Sequence, residues 1–152
     1  MTITFIGHSQ VEERDRVKEA VKNHVRNSII NSESVTCYVG GYGDFDNICA
    51  SVCMELKTDI PCIEVVYVMP YITLSHQEKF KEMQRLGLCD SSVYPPIERT
   101  PPRLAISKRN EWMIANSELV IGYVRHNYGG AYNSLKFATK HKKKIINIGD
   151  KF

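Results

Sequence analysis

Short β-branched runs alternate with segments of helical periodicity along the whole chain, and this alternation constrains the fold more than any other feature. Five apolar runs are typical of strands: Ile3–Ile6, Val35–Val39, Cys62–Met69, Leu119–Val124 and Ile145–Ile148. Helical patterns separate them, and strand–helix alternation is typical of a parallel sheet covered on both faces. The sequence therefore predicts an α/β, Rossmann-like three-layer sandwich with a five-stranded, mostly parallel sheet and helices on both faces.

Local signals predict where the helices begin. Ser9 with Glu12, and Ser75 with Glu78, have the spacing of capping boxes. They predict one helix that lasts to about Ile30 and another that ends near Gly87. Further helices are expected after a cap by Asp44 or Asp46, over residues 104–116, and after residue 130.

One segment is predicted to be a long loop. Residues 89–102 carry four of the six prolines of the chain. Loops of this length are uncommon in small domains and often act as lids or binding segments.

The 152 residues are expected to form one domain, 1–152. No stretch approaches the roughly 20 apolar residues of a membrane span. The first residues lack the pattern of a signal peptide, so a cytoplasmic protein without a membrane partner is expected.

Composition argues against several kinds of site. The five cysteines are an odd number in apolar segments, which argues against a disulfide framework. Cys49 and Cys53 lie one helical turn apart, but no second pair has zinc-finger spacing, so neither a metal nor a cofactor is expected. The net charge of +3 is too small to imply nucleic acid. The basic run 140–144 is either a solvated helix end or a patch for a polyanion.

Glycines follow several of the predicted strands. Gly7 precedes His8, Gly40, Gly41 and Gly43 precede Asp44, and Gly129 stands next to Gly130. Ligands of open parallel sheets bind beyond the carboxyl ends of the strands. Glycines before a helix let the backbone approach a ligand and direct N–H groups at an anion. The two paired-glycine loops together predict a phosphate-binding edge, although each alone is equally well explained as a tight turn.

Five motifs occur in order along the chain: Thr4-Phe5-Ile6-Gly7-His8, Gly40-Gly41-Tyr42-Gly43-Asp44-Phe45-Asp46, Val68-Met69-Pro70-Tyr71, the segment 109–121 that opens with Arg109-Asn110, and Gly129-Gly130-Ala131. This combination resembles the YpsA-like branch of the SLOG superfamily, which also contains DprA and the LOG enzymes. The resemblance covers nearly the whole chain. It implies a Rossmann-like fold with one nucleotide-sized pocket.

The resemblance also implies which residues line that pocket. Arg109 is expected to contact a phosphate or ribose, for which its planar guanidinium is suited; the alternative is a surface arginine. Asp44 and Asp46 are either ligand contacts or helix caps. The full set of predicted ligand-binding residues is Gly7, His8, Gly40, Gly41, Gly43, Asp44, Asp46, Tyr71, Arg109, Asn110, Gly129, Gly130 and Asn133.

The chain departs from the LOG enzymes at their catalytic position. Those enzymes release a base from a nucleoside monophosphate with an arginine and a glutamate that follows the second glycine loop. Here Asn133 and Ser134 stand where the glutamates are expected, and an amide cannot act as a carboxylate does. Asp46 and Glu111 are the candidates for a substitute, so whether the chain is an enzyme stays open.

Three functions are therefore compatible with the sequence. The first is binding of a nucleotide or nucleotide-derived phosphate ligand by a sensor, carrier or sequestering domain. The second is a LOG-like N-glycosidase or phosphoribohydrolase with a non-standard carboxylate. The third is DprA-like binding of single-stranded DNA, which ranks last because the chain lacks an extended basic stripe with interleaved aromatics. A homodimer or higher homo-oligomer is expected from the resemblance, and a nucleic-acid partner is not.

Overall fold

The computed structural model describes residues 1–152. Its strands are β1 (Thr2–Gly7), β2 (Val35–Val39), β3 (Ile63–Val68), β4 (Ser91–Val93), β5 (Leu119–Tyr123) and β6 (Lys144–Asn147). Its helices are α1 (Arg14–Ser28), α2 (Gly43–Lys57), α3 (Leu74–Arg85), α4 (Ala105–Ala115) and α5 (Gly130–Lys140), with short 3-10 helices at Pro102–Leu104 and Ile148–Lys151. No helix has the length and apolar character needed to cross a membrane.

All six strands form one parallel sheet in the order β4-β3-β2-β1-β5-β6. The chain moves outward from β1 to β4 on one side, then returns to place β5 on the other side of β1. The strand order reverses there, and parallel sheets bind their ligands at such a switch point. The predicted α/β architecture is confirmed, and the site is expected above β1.

The prediction of five strands was wrong, because the predicted loop 89–102 contains β4. Its first and last residues pair with Val66 and Val68 of β3. Asp90 anchors it, since its Oδ2 accepts a hydrogen bond from the Val65 amide at 2.8 Å and its Oδ1 one from Lys57 Nζ at 2.6 Å. A three-residue edge strand that begins with two serines has no apolar pattern, so the sequence could not reveal it.

The core is divided unequally between the two faces of the sheet. A cluster of 27 buried residues, including Phe5 and Ile121, lies on the face covered by α1 and α2. The other face has a cluster of four buried residues: Ile6, Ile114, Val120 and Ala138, the second from α4 and the last from α5. Alternate residues of β1 and β5 thus face opposite layers, as the pleat requires.

The predicted helix caps were wrong. Neither Ser9 nor Glu12 begins a helix, and α1 starts at Arg14 without a side-chain cap. Thr73, not Ser75, accepts from the His76 amide to cap α3. No side chain caps α2 either. At α2 a contact distant in sequence competes with local capping, since Asp44 Oδ2 accepts from the Val11 amide.

Candidate functional site

A cavity of about 190 Å³ opens at the carboxyl edge of the sheet, between the ends of β1 and β2, helix α4 and the N-terminus of α5. We call it the glycine cavity. It is lined by Phe5, Ile6, Gly7, Ser9, Gly40, Tyr42, Asp46, Ile106, Arg109, Asn110, Gly130 and Ala131. Six of these residues belong to the predicted set: Gly7, Gly40, Asp46, Arg109, Asn110 and Gly130. Segments from four elements far apart in sequence therefore meet where the strand order reverses.

Arg109 lies at the base of this cavity and is only 2% exposed, so the surface alternative was wrong. Its Nη1 donates to the carbonyls of Gly40 at 2.8 Å and Val68 at 2.7 Å. Its Nε donates to Asn110 Oδ1 at 2.8 Å. Nη2 makes no hydrogen bond. The side chain thus joins the ends of β2 and β3, while the Nη2 end of the guanidinium has no hydrogen-bond partner.

The absence of a side chain at Gly40 allows this arrangement. A Cβ there would lie 2.9 Å from Arg109 Nη2, closer than real Cβ atoms approach other groups, and 3.1 Å from Asp46 Oδ2, a tight contact. A side chain at residue 40 would therefore force the guanidinium or the carboxylate to move.

Asp46 brings a carboxylate to the same cavity. Its Oδ2 accepts from the Tyr42 amide at 2.9 Å, and its Oδ1 makes no hydrogen bond. Burial raises the pKa of Asp46 to about 6, although Arg109, the Tyr42 amide and Lys79 oppose the shift. The other candidate, Glu111, forms an ion pair with Lys108 at 3.1 Å and does not line the cavity. Of the two candidate carboxylates, only Asp46 is in position to act on a ligand there.

The N-terminus of α5 closes the opposite side of the cavity. Gly129 has φ 93°, a conformation that favours glycine, and no side chain caps the helix. The first amides of a helix lack intrahelical partners and carry the positive end of its dipole. A Cβ on Gly130 would meet nothing within 4 Å, so the space beside the first residue of α5 is open. Asn133 is exposed one turn further on and does not line the cavity.

Other predicted residues lie near the cavity without lining it. Asp44 Oδ2 accepts from the Val11 amide at 3.0 Å, and Asp44 also pairs with Arg14, so it holds the β1–α1 loop. Tyr71 donates to the Pro102 carbonyl at 2.7 Å. Gly41 accepts a hydrogen bond from Lys79 Nζ through its carbonyl.

Three further predicted residues also lie outside the wall of the cavity. Gly43 begins α2, and Gly129 precedes α5. His8 faces an adjacent cleft, where its Nε2 accepts from the Arg125 amide at 2.8 Å. Burial lowers the pKa of His8, and His126 and Arg125 lower it further.

Sequence reasoning missed Tyr42 as a wall of the cavity. Its ring lies 4.1 Å from Lys79 Nζ and 5.6 Å from Arg109 Cζ, and its hydroxyl bonds to His76 Nε2 at 2.9 Å. The signal was available, because an aromatic residue between Gly41 and Gly43 stands on the ligand-facing loop. The other wall residues that were missed are Phe5, Ile6, Ser9, Ile106 and Ala131. Ala131 stands in the second glycine motif, whereas nothing in the local sequence marks Ser9 or Ile106 as facing a ligand.

Comparison by sequence finds no matching family model and no curated relative. Comparison of structures matches DNA processing protein A, DprA, from Helicobacter pylori over 95% of this chain, with a TM-score of 0.60 and 18% identity. DprA from Streptococcus pneumoniae matches over 95% with a TM-score of 0.64 and 12% identity. The chain has a DprA-like fold. It spans 63% and 48% of the lengths of these two DprA chains.

The likeness confirms a DprA-like fold of the predicted Rossmann-like type. Membership of the SLOG superfamily and of its YpsA-like branch stays a prediction. The Helicobacter pylori DprA binds single-stranded DNA.

Proposed function

We propose that the glycine cavity binds a phosphate group of a nucleotide or nucleotide-derived ligand, so that the chain acts as a sensor, carrier or sequestering domain. The observation that carries the proposal is the pair of anion-binding groups on its walls. The free Nη2 of Arg109 lies on one side, and the uncapped first turn of α5 lies on the other. A guanidinium and a helix N-terminus are each suited to phosphate, and both are already fixed before a ligand arrives.

A substitution at Gly130 tests this proposal without disturbing the fold. Gly130→Asp places a carboxylate in open space before the α5 amides, where acidic residues stabilise a helix. We expect nucleoside monophosphates to bind about tenfold more weakly or not at all, measured by calorimetry. Gly130→Asn has the same shape without the charge and is the matched control, with a smaller loss expected. Equal affinities for both variants and the wild type would contradict the proposal.

Arg109→Lys gives a second, independent test. Lysine keeps the positive charge, but it lacks the planar guanidinium, whose Nη1 donates to two carbonyls while Nη2 stays available to a ligand. Because Arg109 also supports β2 and β3, its variant is examined by thermal unfolding before binding is measured. Weaker binding by a folded variant supports the proposal.

The position of Asp46 favours a second candidate, hydrolysis of the N-glycosidic bond of the bound nucleotide. A carboxyl with a pKa of about 6 can exchange a proton near neutral pH and can stabilise positive charge on a ribose. Mass spectrometry of ligand incubated with the protein distinguishes the two functions. Free base that appears with the wild type, and not with Asp46→Asn, identifies an enzyme; ligand recovered intact identifies a binding domain.

The DprA-like fold favours single-stranded DNA as a third candidate. A phosphate site serves a free nucleotide and a nucleic-acid backbone by the same chemistry. The affinity for a labelled deoxyoligonucleotide, measured beside the affinities for mononucleotides, decides between single-stranded DNA and a small ligand. Affinity that rises with oligonucleotide length and falls steeply with salt indicates DNA, whereas tight binding of a mononucleotide alone indicates a small ligand.

A further inference from the structure

Three clefts follow one another along the carboxyl edge of the sheet and share wall residues. The glycine cavity shares Ser9 with a second cleft of about 320 Å³ beside His8. The second cleft shares Arg125 and His126 with a third, of about 750 Å³, between the β5–α5 loop, α5 and the end of β6. We call the third the α5 cleft and the whole the edge groove. The groove passes the ends of four neighbouring strands, β2, β1, β5 and β6. Since three strand spacings separate β2 from β6, the groove extends across about 14 Å of the sheet.

The sizes of these clefts bear on what the groove can hold. Pockets for small ligands range from about 300 to 1,000 Å³. The glycine cavity, at about 190 Å³, is below this range, whereas the α5 cleft lies within it. A ligand with its phosphate in the glycine cavity therefore has most of its remaining room along the groove.

The α5 cleft is positively charged. Lys136 and Lys140 lie one turn apart on α5, and Arg125 lies on the facing loop. None of these cations forms an ion pair with a carboxylate. The one acidic residue of the wall, Asp150, accepts a hydrogen bond from Asn147 Nδ2 at 3.2 Å. Uncompensated cations around a concave surface favour an anion.

Aromatic rings supply flat surfaces in the same cleft. Tyr128 is 68% exposed and stacks on His126, with ring centroids 5.1 Å apart and planes 13° apart. His126 in turn lies 4.7 Å from His8 in the second cleft. The Lys136 Nζ lies over the ring of Tyr132, 5.3 Å from its centroid. Exposed rings beside unpaired cations are suited to stacking a nucleobase next to a phosphate.

We propose that the α5 cleft is a second subsite, and that the ligand is a two-ended nucleotide with one phosphate in the glycine cavity and its second nucleotide unit in the α5 cleft. The inference rests on the proposed phosphate site. Each of the three clefts has one acidic residue, Asp46, Glu12 and Asp150 in turn along the groove. The ends differ in their cations, since the glycine cavity has Arg109 and the α5 cleft has the unpaired Lys136 and Lys140. A dinucleotide, with two phosphates and two bases, matches that distribution.

Calorimetry with the four 5′-mononucleotides and the four matching 5′-phosphorylated homodinucleotides tests the proposal. We expect a dinucleotide to bind about tenfold more tightly than its mononucleotide. Lys136→Glu and Tyr128→Ala, both at exposed positions, should remove this gain and leave mononucleotide affinity unchanged. Lys81→Glu, the same charge change on exposed α3, is the control and should change neither affinity.

Three other binding results are conceivable, and each contradicts a different part of the proposal. Mononucleotide binding with no dinucleotide gain overturns the second subsite and leaves the phosphate site intact. Absence of binding by both classes overturns the proposed function as well. Affinity for a deoxyoligonucleotide of ten residues far above that for the dinucleotides overturns the two-ended ligand and assigns the groove to single-stranded nucleic acid.

Discussion

Arg109 and Asp46 flank the same glycine, and their surroundings differ in a way that determines their roles. Arg109 has three hydrogen bonds that satisfy most of its donors, so its charge is supported inside the protein. Asp46 has one such bond, from Tyr42, and its other oxygen is unbonded. A buried carboxylate with few donors is poorly stabilised, which is why its pKa rises despite the neighbouring cation.

The raised pKa of Asp46 predicts a pH dependence of stability. Its folded value of about 6 lies above the ordinary value of 3.8, so the folded state binds the proton more tightly. The contribution of Asp46 to the free energy of unfolding is therefore fully present below about pH 3.8 and is lost as the pH rises from there through 6, by up to about 3 kcal/mol. Asp46→Asn should remove this decline between pH 4 and 7 in urea unfolding. Parallel curves for the variant and the wild type would show that the carboxyl titrates normally.

At the scale of single elements, β4 depends on one side chain. Asp90→Ala removes the acceptor of the buried Val65 amide and the partner of Lys57, and we expect a loss of about 1–3 kcal/mol of unfolding free energy. Asp90→Asn keeps an acceptor for Val65 and should lose less. Asp59→Ala, at an exposed aspartate without a side-chain hydrogen bond, is the urea-unfolding control. A loss equal to that of the control would mean that β4 is held by its backbone pairing alone.

The elements that sequence reasoning predicted correctly are those with a dense apolar pattern. The run from Cys62 to Met69 contains β3, and the repeat of Val17, Val21 and Val25 is the buried face of α1. The predictions that were wrong, the cap of α2 and the loop that contains β4, concern features that depend on contacts between residues distant in sequence. The Asp44 side chain hydrogen-bonds to the β1–α1 loop and does not cap α2. Asp90 anchors the segment Ser91–Val93 beside β3, where it forms β4.

The site shows the same division. Glycine pairs beyond strand ends located the edge of the sheet, since parallel topology brings those ends together. Local sequence could not tell that Arg109 turns inward to Gly40 and Val68, or that Ile106 faces the cavity, because both depend on how α4 packs.

At the scale of the whole molecule, the two layers are held by different means. The α1–α2 face encloses the large apolar cluster, whereas the α4–α5 face has four buried apolar residues in its cluster. Polar contacts supplement that thinner layer: Thr4 Oγ1 bonds to the Met113 carbonyl at 2.9 Å, and Arg109 bonds to the ends of β2 and β3. Both proposed anion-binding groups thus belong to the less extensively packed layer.

This asymmetry predicts where the molecule opens first. Regions with fewer buried apolar contacts unfold locally at lower free energy, so amides of α4 and α5 should exchange hydrogen faster than those of α2, after correction for intrinsic rates. A nucleotide that joins Arg109 to the first turn of α5 links that layer to the sheet, and it should slow exchange in α4 and α5 far more than in α2. Hydrogen-exchange mass spectrometry with and without the nucleotide measures both effects, and Gly130→Asp should lose the second while keeping the first. Equal protection of α2 and α4 in the free protein would contradict the first effect, and uniform slowing across the chain on binding would contradict the second.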